Sequence, residues 1–373
     1  MSGADRVGAA ARQFAIDGEL LRAEPFGSGH INDTYRVTFA RGGAAASYVL
    51  QRINRGIFKK PEALMENVQR VTAHLAAQVA DEPDRARRAL TLIETRDGRG
   101  WHVDEEGGYW RVFNFIPGAR SYDAVESTAQ AFEAARAFGR FQQMLASLPA
   151  PRLHDTIPDF HNTPKRLAAL LEAIAADKAG RARLARPEIK FALARAAMTS
   201  VLLDAHLPER VTHNDTKLNN VLLDDATGEG ICVMDLDTTM PGLGLNDFGD
   251  MVRTMTSPAA EDERDLANVG LQSEMFEAVV RGYLSTAGGF LSKDETALLA
   301  FAGKLITFET GIRFLADYLN GDSYFKVHRE GQNLDRCRTQ FKLVESIERQ
   351  EEDMQRLVER LQREAGATLR HYS

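Results

Sequence analysis

Val211-Thr212-His213-Asn214-Asp215-Thr216-Lys217-Leu218-Asn219-Asn220-Val221-Leu222-Leu223, then Ile231-Cys232-Val233-Met234-Asp235-Leu236-Asp237-Thr238-Thr239, is the stretch whose reading decides the fold. It reads as a polar loop, a short apolar strand, a glycine-containing turn and a second apolar strand ending in acidic residues. Phosphoryl transfer from a nucleotide asks for little covalent chemistry. It needs a carboxylate beside the acceptor hydroxyl, a cation near the phosphates and oxygen ligands for magnesium. Asp215 suits the first role and Lys217 the second. Asn220 offers an amide oxygen and Asp235 a carboxylate at a strand end, both hard donors for magnesium. Asp237 is a candidate for a second metal ion or for a hydrogen bond back to the loop. His213 is expected to brace the loop backbone. The order H-x-D-x-K-x-x-N, apolar strand, Asp is that of a kinase catalytic loop and its metal-binding Asp.

Such a motif carries weight only in its structural context, and the chain upstream supplies one. Glu24 to Phe39 contains Gly27-Ser28-Gly29-His30-Ile31-Asn32-Asp33-Thr34 and then an alternating run in which Tyr35, Val37 and Phe39 share one side. Glycines let a backbone approach phosphates closely. Gly27, Gly29, His30, Asn32 and Thr34 are therefore the candidate nucleotide contacts, although Gly-Ser-Gly alone is an ordinary turn. A second strand is expected at Ser47–Ile53. Protein kinases place a lysine on such a strand, paired with a helix glutamate, but Tyr48-Val49-Leu50-Gln51-Arg52-Ile53 has none. Arg52 is the expected substitute, since a guanidinium grips phosphate in bidentate fashion, with Glu62 or Glu66 as its partner. Pro61 opens a helix to about Gln78, and further strands are expected at 89–94 and 109–115. Phe113-Asn114-Phe115-Ile116-Pro117-Gly118 then reads as a hinge, with Asn114 and Ile116 as candidates to meet the adenine edge. A short helix over 7–22 precedes the whole.

Beyond the hinge the pattern is helical, at 128–147, 164–177, 187–205, 273–287, 293–319 and 336–364. Asp250 is expected as the first-turn acid of another helix. The fold class this implies is α+β, in two lobes of protein-kinase-like form. Residues 1–117 make a mainly antiparallel nucleotide-binding lobe, and 118–373 a mainly helical catalytic and substrate-binding lobe. The chain of 373 residues has room for both. Its net charge of -7, with both signs interspersed, argues against nucleic acid as a partner. Two distant cysteines, Cys232 and Cys337, argue against a disulfide framework and for a reducing cytoplasm. Neither a signal peptide nor a membrane span is expected. Oligomeric state is not legible.

Gly27–Thr34, His213–Asn220 and Asp235–Thr238, in that order and over most of the chain, resemble the aminoglycoside phosphotransferase/choline kinase family. The strings G-S-G-H-I-N-D-T-Y, Y-V-L-Q-R-I-N, H-N-D-T-K-L-N-N, M-D-L-D-T-T-M-P-G and G-I-R-F-L-A-D-Y-L-N-G-D-S-Y-F look most like the N-acetylhexosamine 1-kinases within it. The resemblance implies ATP and Mg2+, Asp215 as catalytic base and Asn220 with Asp235 as metal ligands. It also implies a sugar acceptor, phosphorylated on the anomeric hydroxyl, recognised by the 309–325 segment. Arg313 and Asp317 there are four residues apart and share a helix face, and Tyr324 offers a flat surface. His161 and Tyr122 are weaker pocket candidates. The missing strand lysine departs from the wider family. Choline, homoserine or an aminoglycoside remains open as acceptor. A haloacid-dehalogenase-type phosphatase, using Asp235-Leu-Asp237-Thr-Thr after an apolar strand, is the reading from another class.

Overall fold

A computed structural model describes residues 3–27 and 31–371. Its first part is an antiparallel sheet of β1 (Glu19–Pro25), β2 (Asp33–Arg41), β3 (Ala44–Arg52), β4 (Leu92–Ile93), β5 (His102–Val103) and β6 (Tyr109–Asn114). The order is β1-β2-β3-β6-β4, and β5 also pairs with β6. The candidate glycine loop joins β1 to β2, and Gly29 and His30 lie outside the described residues. The expected helix over 7–22 is shorter. Helix α1 (Gly3–Ala11) stops early, Gly18 turns with φ 103°, and the following residues become the sheet's edge strand.

The sheet has two apolar faces of different character. Val37, Phe39, Leu50, Trp110 and Val112 pack with Val7, Ala11 and Phe14 beneath α1. Ile53 and Phe113 face the other way, into the main core, with Leu64, Met65, Val68, Val71 and Leu75 of α2 (Pro61–Gln78). That α2 stripe follows the helical period expected of it.

The remaining helices are α3 (Arg85–Arg88), α4 (Thr128–Leu145), α5 (Thr163–Ala176), α6 (Arg186–Ala194), α7 (Val201–Asp204), α8 (Gly244–Met255), α9 (Ser273–Ala287), α10 (Lys293–Ala297), α11 (Leu299–Leu319) and α12 (Gln332–His371). Two expected helices are broken. The 187–205 stretch passes through a 3-10 turn at Ala196–Ser200, and 293–319 divides at Leu298 after a Ser292–Glu295 capping box. Helices α4 and α9 cross closely, because a Cβ on Gly282 would stand 2.1 Å from the Phe132 carbonyl. Against this helical mass sit two small antiparallel pieces: β9 (Val221–Asp224) between β10 (Gly230–Val233) and β7 (Ala119–Arg120), and β8 (Glu209–Thr212) with β11 (Met240–Leu243). Together they carry the 211–239 stretch. The architecture is the two-lobe α+β arrangement of the kinase-like fold.

Candidate active site

Strand β8 delivers His213, Asn214 and Asp215 onto a loop that is held from below. His213 is fully buried, with the rings of Phe138 and Phe141 edge-on at 5.3 and 5.6 Å. Its Nε2 lies 2.7 Å from the Met234 carbonyl, which can only accept, and its Nδ1 accepts the Asp215 N–H at 3.3 Å. These partners fix Nε2 as the protonated nitrogen and make the ring a brace. Asn214 takes the left-handed conformation, φ 65°, which asparagine tolerates. Its amide donates to the Thr238 carbonyl at 2.8 Å and so ties the loop to the acidic turn.

The deepest support is Asp247, a residue the sequence reading passed over. Asp250 was the expected first-turn acid of α8, but that position belongs to Asp247, because the helix begins at Gly244. The buried Asp247 carboxylate accepts the N–H groups of His213 and Asn214 at 2.9 and 2.7 Å, and Gln142 Nε2 at 2.6 Å. Burial raises its carboxyl above the ordinary range. Asp250, one turn on, accepts the Thr216 N–H at 2.9 Å and pairs with Arg253. A string of loop N–H groups thus ends on two carboxylates of one helix, so the loop is braced by the protein's own groups.

On this base the candidate catalytic groups converge. Lys217 Nζ stands 2.9 Å from Asp215 Oδ1, and Asn220 Nδ2 donates to Asp215 Oδ2 at 3.0 Å. Burial opposes ionisation of Asp215, but Lys217 and Asn220 outweigh it and hold the carboxyl below its usual value. The same pairing raises the Lys217 ammonium. With Nδ2 committed, Asn220 keeps its amide oxygen without a partner among the described residues. Asp235 sits at the end of β10 with φ 54° and opens to the cleft. The protein around it, with the carboxylates of Asp237 and Asp215, pushes its carboxyl up to about 6. Negative charge is in excess at this spot, and the exposed oxygens are hard donors. The residues fit a magnesium ion that takes its other ligands from water and phosphate. Among the described residues no cluster of three or more His, Cys, Asp or Glu side chains forms a self-sufficient metal cage.

Several expected residues stand elsewhere. Arg52 does not face the cleft. Side chains alternate along a strand, so Arg52 shares the α1 face with Leu50, lying 6.0 Å over Trp110 and 3.8 Å from Asp33. Glu66 is exposed and bonds His154 at 2.6 Å, while Glu62 bonds Tyr109. The cation that does reach the acidic turn is Arg111 on β6, opposite Gln51, with Nη1 2.5 Å from Asp237 Oδ1. Asp237 departs from the metal-ligand expectation, being 2% exposed with its other oxygen accepting Asn32 Nδ2 at 2.6 Å. Thr34 bonds Gln51 through its hydroxyl, and Gly27 has φ 80°. The Asn114 side chain is spent on Thr91 and Ala86. Ile116 is buried at the sheet's exit, its backbone N–H and carbonyl without partners among the described residues.

In the segment expected to meet the acceptor, Asp317 does not pair with Arg313. Its buried carboxylate accepts the N–H groups of Ser323, Tyr324 and Phe325 at 2.9, 2.8 and 2.9 Å, so it shapes the turn after α11. Arg313 makes no ion pair among the described residues and lies 5.3 and 5.6 Å over Phe160 and Phe325. Tyr324 is 60% exposed, and Tyr122 packs against the main core. His161 bridges these parts. Its Nδ1 is 2.8 Å from buried Glu309 and its Nε2 3.4 Å from the Asn214 carbonyl. Burial resists the Glu309 charge, but His161, Arg313 and Thr163 hold its carboxyl below the ordinary range.

Solved structures with the same fold cover nearly the whole chain. An aminoglycoside phosphotransferase from Alicyclobacillus acidocaldarius is 13% identical with a TM-score of 0.60, each chain covered over 96%. A microcompartment-associated aminopropanol kinase is 18% identical with a TM-score of 0.55, over 94% of this chain and 98% of that one. A choline kinase from Cryptosporidium parvum is 15% identical with a TM-score of 0.55, over 94% and 96%. Residues 22–283, from β1 through the catalytic loop to α9, match the phosphotransferase enzyme family, and the chain belongs to it.

Proposed function

We propose that this phosphotransferase uses ATP and Mg2+ to phosphorylate a sugar hydroxyl, and that the sugar is an N-acetylhexosamine taken at its anomeric position. The observation that carries the first half is the Asp215–Lys217–Asn220 cluster beside the open Asp235. In this reading Asp215 accepts the proton of the acceptor hydroxyl as that oxygen bonds to the γ-phosphorus. The bond to the β,γ-bridging oxygen breaks and ADP leaves, with no phospho-enzyme. Lys217 turns from Asp215 toward the negative charge of the transferred group. Asn220 and Asp235 would hold magnesium, which supplies charge neutralisation on the phosphates when bound. Ile116, whose backbone groups have no partner among the described residues, is our candidate to meet the adenine edge. We take the lobes to divide at Pro117–Gly118, whose carbonyls Arg87 binds while it also pairs with Asp224.

The acceptor half rests on Arg313. A guanidinium lying on aromatic rings, with no ion pair, suits the carbonyl and hydroxyl oxygens of an acetamido sugar. Arg166, whose guanidinium is lowered by burial and then by Arg313, adds to the positive character. A choline or polycationic acceptor would call for free carboxylates or an aromatic cage, and Glu309 is already taken by His161 and Thr163. The phosphatase reading loses its footing, because β10 pairs antiparallel in a hairpin with β9 rather than leading an alternating parallel sheet. Buried free thiols at Cys232 and Cys337 suit a reducing compartment such as the cytoplasm. Among the described residues no helix is long and apolar enough to cross a membrane.

A panel of ATP-consumption assays over N-acetylglucosamine, N-acetylgalactosamine, glucose, galactose, choline, homoserine and kanamycin tests the proposal. Turnover confined to the N-acetylated sugars is expected. Turnover with choline or kanamycin instead would overturn the acceptor assignment.

A further inference from the structure

The turn after Asp235 is gripped from the sheet side. Asp237 Oδ1 meets Arg111 Nη1 at 2.5 Å, and Oδ2 accepts Asn32 Nδ2 at 2.6 Å. Arg111 is itself 1% exposed, and Gln51 Oε1 accepts its Nε and Nη2 at 3.0 and 2.8 Å. Asn32 closes the loop end, because its Oδ1 accepts the Asn54 N–H at 2.9 Å. Four residues past the exposed Asp235, Asn67 of α2 donates to the Thr239 carbonyl at 3.2 Å and to the His154 carbonyl. A buried ion pair of this kind gains little net energy, but breaking it from one side leaves an uncompensated charge. Its consequence is geometric: the pair ties the strands β3 and β6, and Asn32 at the entry to β2, to the acidic turn.

We propose that Arg111 and Asp237 form a latch that seats Asn32, where the chain enters β2, on the turn that presents Asp235. Asp237 is then a positioning residue, and Asp235 alone of the two carboxylates is turned to the cleft. The cation that other kinases carry on the strand facing the phosphates is here given to the neighbouring strand and spent on lobe registration. The functional meaning of the latch rests on the kinase reading above; its existence does not.

Hydrogen–deuterium exchange on the full chain reads the latch without substrate. Asp237→Asn and Arg111→Gln should each raise exchange in peptides spanning Asn32 and in peptides spanning 236–240 together, and the double variant should exceed neither by much. In steady state, each single variant should raise the nucleotide KM about tenfold, the scale of one lost hydrogen bond to a charged group, with a smaller fall in kcat. Magnesium dependence should stay as in the wild type. If Asp237→Asn abolishes turnover or shifts the magnesium requirement as Asp235→Asn does, with wild-type exchange around Asn32, Asp237 is a metal ligand and the latch is refuted. Additive effects of the two substitutions refute it as well. Asn32→Ala leaves the buried pair whole and carries the test should Asp237→Asn not fold. It should loosen the same peptides and raise nucleotide KM, and wild-type exchange there is contrary. A wild-type chain that consumes no ATP with any acceptor would sink the kinase reading, while the exchange result would still judge the latch.

Discussion

The 213–220 loop and the 309–325 segment both carry candidate site residues, yet they are built in opposite ways. In the loop the N–H groups of His213, Asn214 and Thr216 end on carboxylates of α8, and the candidate base is oriented by two neighbours. At the proposed acceptor wall, Asp317 is absorbed into the turn, while the side chains of Arg313 and Tyr324 remain without polar partners among the described residues. On the proposed function, chemistry common to every acceptor is pre-organised at the cost of buried charge, whereas recognition is left to side chains the ligand itself must complete. The family match ends at residue 283, before the proposed acceptor segment begins.

If that contrast holds, substitutions in the loop act on turnover and stability, and those at the wall on acceptor binding. Asp215→Asn should lower kcat by about three orders of magnitude, within the range of a lost general base, with fluorescent-nucleotide affinity nearly unchanged. Near-normal turnover would remove Asp215 from proton transfer. Asp247→Ala should cost about 3 kcal/mol in urea unfolding, since it leaves two buried N–H groups and Gln142 without an acceptor. A loss within 0.5 kcal/mol, roughly what an exposed site shows, would mean the loop does not depend on α8. Arg313→Ala should raise the sugar KM by about 10-fold or more, on the scale of one charged hydrogen bond, with little change in unfolding midpoint. An unchanged sugar dependence would take it out of the pocket.

Much of this was readable in the chain, and the failures follow a rule. The loop, the acidic turn, α2 and the positions of several strands depend on spacing over a few residues, which sequence displays directly. Arg52 was misread by a single step. Strand parity puts Gln51 and Arg111 on the cleft side, and a one-residue slip exchanges the faces. Arg111, Asp247 and Glu309 were invisible for a different cause. Each meets its partner across 126, 34 and 148 positions, and nothing local marks such a residue as buried and paired. The edge strand β1 was taken for helix because its exposed pattern has no apolar alternation to betray it.

The smallest effect concerns pH. The Asp235 carboxyl is pushed up to about 6 by the protein that surrounds it and by the carboxylates of Asp237 and Asp215, against an ordinary value near 3.8. The folded chain therefore holds this proton to higher pH than the unfolded chain does. Its contribution favours folding below the ordinary value and is lost as pH rises through about 6. Mg2+ competes with that proton, so the rise in melting temperature on adding Mg2+ should be larger at pH 8 than at pH 5. Asp235→Asn should flatten the difference, and an unaltered difference would separate the metal effect from Asp235.

The central claim is a transfer to a sugar hydroxyl by Asp215 within this frame, and phosphorus NMR of the product tests it most directly. The wild-type chain, given ATP, Mg2+ and N-acetylglucosamine or N-acetylgalactosamine, should yield a sugar phosphate whose phosphorus couples to the anomeric proton. Asp215→Asn should yield none on the same timescale. A phosphate on another carbon would contradict the acceptor geometry, and free phosphate in place of a sugar phosphate would contradict the account as a whole.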